Sequence, residues 1–235
     1  MSVTLFGHWI CPYSVRVSFA LAERGIDHDL VEVPPTAARP KGFVVPAEFV
    51  ERSPRGEIPM IRIDGEYLTD SIPILELLEE RIDAPSLFPL REEDRSVARS
   101  RMAAIDANIF TPMIRVYYGV DSEHIAKASD DLATALAALD THLADHGWLV
   151  GQAPSLAEAV LVPVYVRLEG LRRLGFVGEL TEPVAAHRER TMSLSGGRAV
   201  AWTDAMTDEF VRRFETFRKR HRPDFSEGRK RPERF

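Results

Sequence analysis

The chain of 235 residues is long enough for one large domain or two of ordinary size. Its single cysteine excludes an intramolecular disulfide bond, and its formal charge of −6 argues against a nucleic-acid-binding protein. The N-terminus lacks a basic segment followed by a long apolar run, and no stretch approaches about 18 apolar residues. We therefore expect a soluble, cytoplasmic protein with no membrane partner.

The first eighty or so residues alternate short apolar segments with helical patterns. Strands are predicted at residues 3–6, 30–33, 60–63 and 66–68. Helices are predicted from residue 12 to Gly25, around residues 47–52, and from Asp70-Ser71 onward. Asp64-Gly65 has the composition of a type I′ hairpin turn. The order βαβ–α–ββα predicts a mixed sheet with helices on its faces.

Beyond a linker at about residues 84–95, the apolar residues recur at three- and four-residue steps, which is typical of long amphipathic helices. Pro112 falls inside the first of them and should bend it. Ser155 and Glu158 form a capping-box pattern ahead of another apolar stripe. Phe210, Phe214 and Phe217 predict a final helix that packs on the bundle or covers a pocket. The second half is therefore predicted to be all-helical.

The string Cys11-Pro12-Tyr13-Ser14 places the cysteine at a predicted helix start, directly after a short apolar strand. Unpaired backbone N–H groups and the helix dipole favour a thiolate there. Pro12 fits the first helical turn, where its missing N–H costs nothing. Thiol chemistry at Cys11 is therefore the first functional hypothesis.

Four strings together are similar to the glutathione transferase superfamily over nearly the whole chain. They are residues 11–17, residues 53–59, residues 64–71 and residues 155–158. The resemblance implies an α+β, thioredoxin-like domain at residues 1–83 that binds glutathione. It also implies an all-helical domain at residues 92–235 that supplies most of the second-substrate pocket, and a homodimer. No metal is implied.

The resemblance also assigns the glutathione-binding residues. Pro59 should follow a cis peptide bond, so that the backbone of Ile58 faces the cysteinyl part of glutathione. Asp70 and Ser71, at a helix start, should hold the γ-glutamyl end. The glycine carboxylate needs a cation, for which Lys41 and Arg39 are the candidates.

The position of the thiol is similar to that of the omega-like members of the superfamily. With no second cysteine nearby, a mixed disulfide between Cys11 and glutathione would be resolved by a second glutathione. This favours thiol transfer or reductive removal of glutathione from a conjugate. The alternative is conjugation of glutathione to an electrophile, with the hydroxyl of Ser14 or Tyr13 stabilising the glutathione thiolate.

The second substrate is expected to be a small, mainly apolar electrophile. Candidate pocket residues lie on the bent helix and in the loop before Cys11: Ile109, Met113, Tyr117, Tyr118, His8 and Trp9. His8 could also assist ionisation of the thiol.

Two non-enzymatic hypotheses remain open. The fold is also found in regulators of the stringent-starvation type, which commonly lack a reactive cysteine at this position. The basic runs at residues 218–222 and 229–231 could bind a partner, although the acidic total charge makes nucleic acid an unfavourable one.

Overall fold

The computed structural model describes residues 1–89, 91–119 and 121–221. Its first half contains a four-stranded sheet in the order β2-β1-β3-β4. The strands are β1 (Val3–Gly7), β2 (Asp29–Glu32), β3 (Met60–Ile63) and β4 (Glu66–Thr69). β1 pairs in parallel with β2 and antiparallel with β3, and β3 pairs antiparallel with β4. The predicted mixed sheet is confirmed.

The helices of this half are α1 (Pro12–Glu23), α2 (Ala47–Arg52) and α3 (Ser71–Arg81), with a short 3₁₀ turn at Thr36–Ala38. Asp64 and Gly65 have φ values of 48° and 90°, as a type I′ turn requires of both central residues. The hairpin prediction is therefore confirmed.

The second half is all-helical in the described residues, as predicted. Its helices are α4 (Glu92–Ile105), α5 (Thr111–Tyr118), α6 (Ser122–Ala137), α7 (Asp140–His146), α8 (Leu156–Arg173), α9 (Glu182–Ser193), α10 (Ser195–Val200) and α11 (Asp204–His221). No helix in these ranges is long and apolar enough to span a bilayer.

The bend expected at Pro112 takes the form of a π-helical turn, Asp106–Phe110, between α4 and α5. Proline cannot donate a backbone hydrogen bond, so the regular helical ladder is broken at this point. The Thr111 hydroxyl donates to the Asp106 carbonyl oxygen at 2.8 Å. The turn carries Asp106 to a position beside α1.

Helix α1 lies at the centre of the molecule, because it packs on α3 from its own half and on α8 and α10 from the other. Buried apolar side chains of both halves form one continuous core. Helix α8 is buried along nearly its whole length and begins with the predicted capping box at Ser155 and Glu158. This packing fixes the start of α1 against the helical half.

Candidate active site

A cleft of about 1430 Å³ lies between the start of α1, the start of α3, and helices α5 and α11. Cys11 occupies the N-cap position of α1 and is 5% exposed. Its thiol donates to the carbonyl oxygen of Ile58, with Sγ 3.7 Å from that oxygen. The sulfur therefore sits at a helix N-terminus on the wall of the cleft.

The peptide bond between Ile58 and Pro59 is cis, which confirms the prediction made for it. Both residues line the cleft, and the Ile58 carbonyl faces Cys11. A segment without regular structure thus presents backbone polar groups next to the thiol.

Asp70 and Ser71 lie at the start of α3 and face the same cleft as Cys11, as predicted. The Asp70 side chain does not cap the helix; instead its Oδ1 accepts a hydrogen bond from Arg55 Nη2 at 2.6 Å. Arg55 also donates to Glu57 Oε2 at 2.7 Å. Asp70 has φ of 73°, a left-handed conformation uncommon outside glycine. Its carboxylate is therefore exposed at the cleft edge and already paired with a cation.

Arg39 and Lys41 also line the cleft, in the loop that follows β2. Arg39 donates to the Pro34 carbonyl oxygen, and Lys41 is exposed. Arg213 of α11 reaches the same loop and donates to the Ala38 carbonyl oxygen at 2.7 Å. Sequence reasoning missed Arg213, because a basic residue on an amphipathic helix carries no signal of what lies opposite.

Tyr13 and Ser14 differ in where they point. Tyr13 lines the cleft, and its ring centroid lies 4.9 Å from that of Phe110. Burial raises the pKa of its hydroxyl. Ser14 is 1% exposed and packs beneath Gly7, where a Cβ would stand 3.2 Å from its Oγ. The structure thus places Ser14 away from the cleft walls.

Of the residues predicted for the second-substrate pocket, some line the cleft and others do not. Tyr117 and Tyr118 line the cleft, whereas Ile109 and Met113 belong to the core. Trp9 packs edge-on against Trp202 and is not on the cleft wall. Helix α11 adds Phe210, Phe214 and Phe217, which pack on these two tyrosines and also line the cleft. Together the tyrosines and phenylalanines form an aromatic wall of the cleft. The prediction for the final helix is confirmed.

His8 lies in the loop before Cys11 but does not line the cleft. Its Nδ1 accepts a hydrogen bond from the Ile10 N–H at 3.2 Å. Burial lowers the pKa of its ring, Glu32 opposes that effect, and Arg213 adds to it. The structure places His8 as a support of the loop.

Two buried arginines near the thiol were not expected from the sequence. Arg16 pairs with Asp106, and its guanidinium lies 3.7 Å from the centroid of the Phe110 ring. Arg167 of α8 donates to the carbonyl oxygen of Ile10, the residue before Cys11, at 2.6 Å. A charged residue inside an apolar helical stripe is the signal that could have identified both.

Comparisons with known proteins agree with this fold. The glutathione S-transferase N-terminal domain family matches residues 10–81, and the C-terminal domain family matches residues 122–190. The chain is 31% identical to a maleylacetoacetate isomerase of Pseudomonas aeruginosa, over 68% of this chain and 78% of that protein. It is 26% identical to a stringent starvation protein A homolog of Haemophilus ducreyi, over 68% of this chain and 71% of the homolog.

Among solved structures, rice glutathione transferase GST1 in complex with glutathione superposes with a TM-score of 0.77 at 19% identity, covering 92% of this chain and 99% of that one. The fold is therefore that of a glutathione transferase: a half with a mixed four-stranded sheet and helices, joined to a helical half. The chain belongs to the glutathione S-transferase family. Within the described ranges, no cluster of histidine, cysteine, aspartate and glutamate could hold a metal ion.

Proposed function

We propose that this protein is a glutathione-dependent enzyme in which Cys11 is the reacting thiol and the reaction is thiol transfer. The observation that carries the proposal is the position of Cys11, which faces the cleft from the α1 N-terminus while Ser14 packs beneath Gly7. A thiolate at a helix N-terminus is stabilised by the backbone N–H groups and the helix dipole.

The proposed reaction consists of two successive thiol–disulfide exchanges. The Cys11 thiolate attacks the glutathionyl sulfur of a mixed disulfide, and the released thiolate leaves and takes up a proton. A second glutathione thiolate then attacks the glutathionylated Cys11, which expels the Cys11 thiolate and forms oxidised glutathione. The chain has no other cysteine that could take this second role.

The glutathione peptide would lie along the cleft edge. The Ile58 backbone would pair with its cysteinyl part, and the start of α3 with Ser71 would hold the γ-glutamyl carboxylate. The γ-glutamyl ammonium would pair with Asp70, in competition with Arg55. Arg39 or Lys41 would hold the glycine carboxylate.

Conjugation is the second candidate, and the aromatic wall formed by Tyr118 and α11 favours it because it suits an apolar electrophile. An isomerisation is a variant of this candidate, suggested by the relative named maleylacetoacetate isomerase. Addition of a thiolate to a double bond, rotation and expulsion of the same thiolate would change only the geometry of the bond. A non-catalytic regulator, suggested by the stringent starvation homolog, would have no need of the reactive thiol.

Incubation with oxidised glutathione, followed by intact-mass measurement, tests the proposal. The wild type should gain one glutathionyl group and Cys11→Ser none. In a thiol-transfer assay, Cys11→Ser should be almost inactive and Ser14→Ala should stay active. If Cys11→Ser instead keeps most of a conjugating activity, conjugation is the reaction. No uptake of glutathione, together with unchanged turnover in Cys11→Ala and lost turnover in Ser14→Ala, would move the reaction to the serine.

We also propose that the protein is a homodimer, since members of this family commonly are. Size-exclusion chromatography with light scattering measures the mass directly. A monomer at working concentration would contradict this part of the proposal without affecting the assignment of Cys11.

A further inference from the structure

The two buried arginines near Cys11 differ in how their charges are balanced. Arg16 is 1% exposed and pairs with the carboxylate of Asp106. Arg167 is also 1% exposed, but its hydrogen-bond partners are neutral groups: the Ile10 carbonyl oxygen at 2.6 Å, the Pro163 carbonyl oxygen at 3.0 Å and the hydroxyl of Tyr117. Among the residues that the structure describes, no carboxylate forms an ion pair with Arg167. Its positive charge therefore has no carboxylate counter-charge in the part of the chain that the structure describes.

An enclosed charge without a counter-charge is costly, because carbonyl dipoles replace only part of the hydration that burial removes. Burial lowers the pKa of the Arg167 guanidinium, and the ionisable groups of Tyr117 and Cys11 act in the opposite direction. Arg167 also donates to the carbonyl oxygen of the residue directly before Cys11, and both side chains line the same cleft, so its charge acts on the part of the cleft that holds the sulfur. Any anion brought to this part of the cleft is stabilised by the same field.

The surroundings of Arg167 strengthen that field. The guanidinium lies 5.0 Å from the centroid of the Trp202 ring, and Tyr117 and Phe210 line the cleft beside it. Aromatic neighbours exclude water and lower the local dielectric constant, so that a single charge acts more strongly than it does at the surface. The positive charge of Arg167 in the cleft also contrasts with the chain as a whole, which has a formal charge of −6.

We propose that Arg167 makes the electrostatic potential at the Cys11 sulfur positive and so favours electrophiles with a carboxylate next to the reacting atom. Arg167 is also a positioning residue, since its hydrogen bond to Ile10 links α8 to the residue directly before the thiol. The inference deepens the proposed function and rests on its assignment of Cys11 as the reacting thiol. It narrows the second substrate from an apolar electrophile to one that also carries an acidic group.

Two small alkylating reagents, iodoacetate and iodoacetamide, test this directly. In both reactions the thiolate supplies the electron pair of the new S–C bond, and iodide leaves with the pair of the C–I bond. The reagents share the reacting carbon and the leaving group but differ in charge. Since Cys11 is the only cysteine, intact mass reports its alkylation alone. Both rate constants are proportional to the fraction of Cys11 that is ionised, so this fraction divides out of their ratio. The ratio therefore measures the preference of the site for the anionic reagent, iodoacetate.

The wild type should give a higher iodoacetate-to-iodoacetamide ratio than free glutathione does in the same buffer. Arg167→Met should lower that ratio about tenfold, which corresponds to the loss of one charge-assisted contact. Arg167→Lys should retain part of the preference, because it keeps the charge. The control is Arg212→Gln, which removes an exposed cleft arginine already paired with Glu209 and should leave the ratio unchanged.

An unchanged ratio in Arg167→Met, or a wild-type ratio equal to that of free glutathione, would overturn the inference. Should Arg167→Met fail to fold, the wild-type ratio at low and high ionic strength decides, because salt screens a buried charge weakly. A preference that persists in high salt supports Arg167, and one that disappears refutes it. None of these measurements depends on the binding of glutathione to the protein, since free glutathione serves only as a reference thiol, so the proposed function can fail in its own assay while this result stands, and the reverse.

Discussion

Asp106 Oδ1 lies 2.5 Å from Arg16 Nη2, and this ion pair joins the π-helical turn of the second half to α1 of the first. Arg16 is buried, whereas the Asp106 side chain is 44% exposed. The same guanidinium also donates to the Ser71 hydroxyl at 3.4 Å, at the start of α3. The pair therefore connects the core to the edge of the cleft.

Removing the carboxylate should leave a buried guanidinium without its counter-charge. We expect Asp106→Ala to lower the free energy of unfolding by about 2–3 kcal/mol, toward the lower end for such pairs because Asp106 is partly hydrated. Asp131→Ala is the control: it breaks an exposed pair with Lys127 and should cost below about 0.5 kcal/mol. Urea denaturation of both variants gives the comparison, and equal losses would show that the buried pair has no special weight.

Gly170 of α8 lies directly against Phe210 of α11. A Cβ there would stand 2.5 Å from Cδ1 of Phe210, so Gly170→Ala should displace the ring and lower the unfolding free energy by roughly 1–3 kcal/mol. This is opposite to the usual gain when glycine is replaced in a helix. Thermal denaturation measures the effect.

A double-mutant cycle separates this clash from other effects at Gly170. In Phe210→Ala the space is open, so adding Gly170→Ala should cost nothing further. Gly178→Ala is a second control, because a Cβ at Gly178 meets no atom within 4 Å. Additive losses in the cycle would contradict the explanation.

Glu158 should be among the most destabilising residues to remove in the helical half. Its carboxylate accepts from the Leu149 and Ser155 N–H groups at 2.8 and 2.7 Å, and from the buried His187 ring at 3.3 Å. Glu158→Ala leaves these donors unsatisfied, for which we expect a loss of about 3 kcal/mol. Glu169→Ala, on the exposed side of the same helix, is the control and should change stability little. Denaturation followed by circular dichroism measures both, and similar losses would refute the prediction.

His8 predicts a dependence of stability on pH. Because burial lowers the pKa of its ring in the folded protein, the stability contributed by neutral His8 is present above the unfolded value of 6.5 and is lost as the pH falls through the folded pKa. Protonation also occupies Nδ1, which accepts the hydrogen bond from Ile10.

His8→Asn keeps an acceptor at every pH and so isolates the effect of His8. Between about pH 7 and pH 5 the wild type should lose up to about 1 kcal/mol more unfolding free energy than this variant. Urea denaturation at the two pH values measures the difference. Identical losses would show that protonation of His8 is not coupled to folding.

Features that depend on a few neighbouring residues could be read from the sequence. The turn at Asp64-Gly65, the capping box at Ser155 and Glu158, and the placement of Cys11 at the start of α1 all follow from backbone preferences and local hydrogen bonds. Periodicity likewise identified the second half as helical, since an apolar stripe shows which face of a helix is buried. The basic run at residues 229–231 and the segment 223–235 lie outside the described residues.

The tertiary structure decided which residues face the cleft. Residues adjacent in the sequence differ in this respect. Tyr13 lines the cleft, whereas Ser14 packs under the sheet, and Ile114 lines the cleft, whereas Met113 belongs to the core. One residue rotates a helical side chain by about 100°, and a π-helical turn shifts that phase for everything after it. Arg167 shows the same limit, because an arginine in an apolar stripe tells nothing of the Ile10 carbonyl it meets from the other half of the chain. The sequence by itself determined the secondary structure and the place of Cys11 at the start of α1. Long-range packing determined the aromatic wall of the cleft and brought the charge of Arg167 to it.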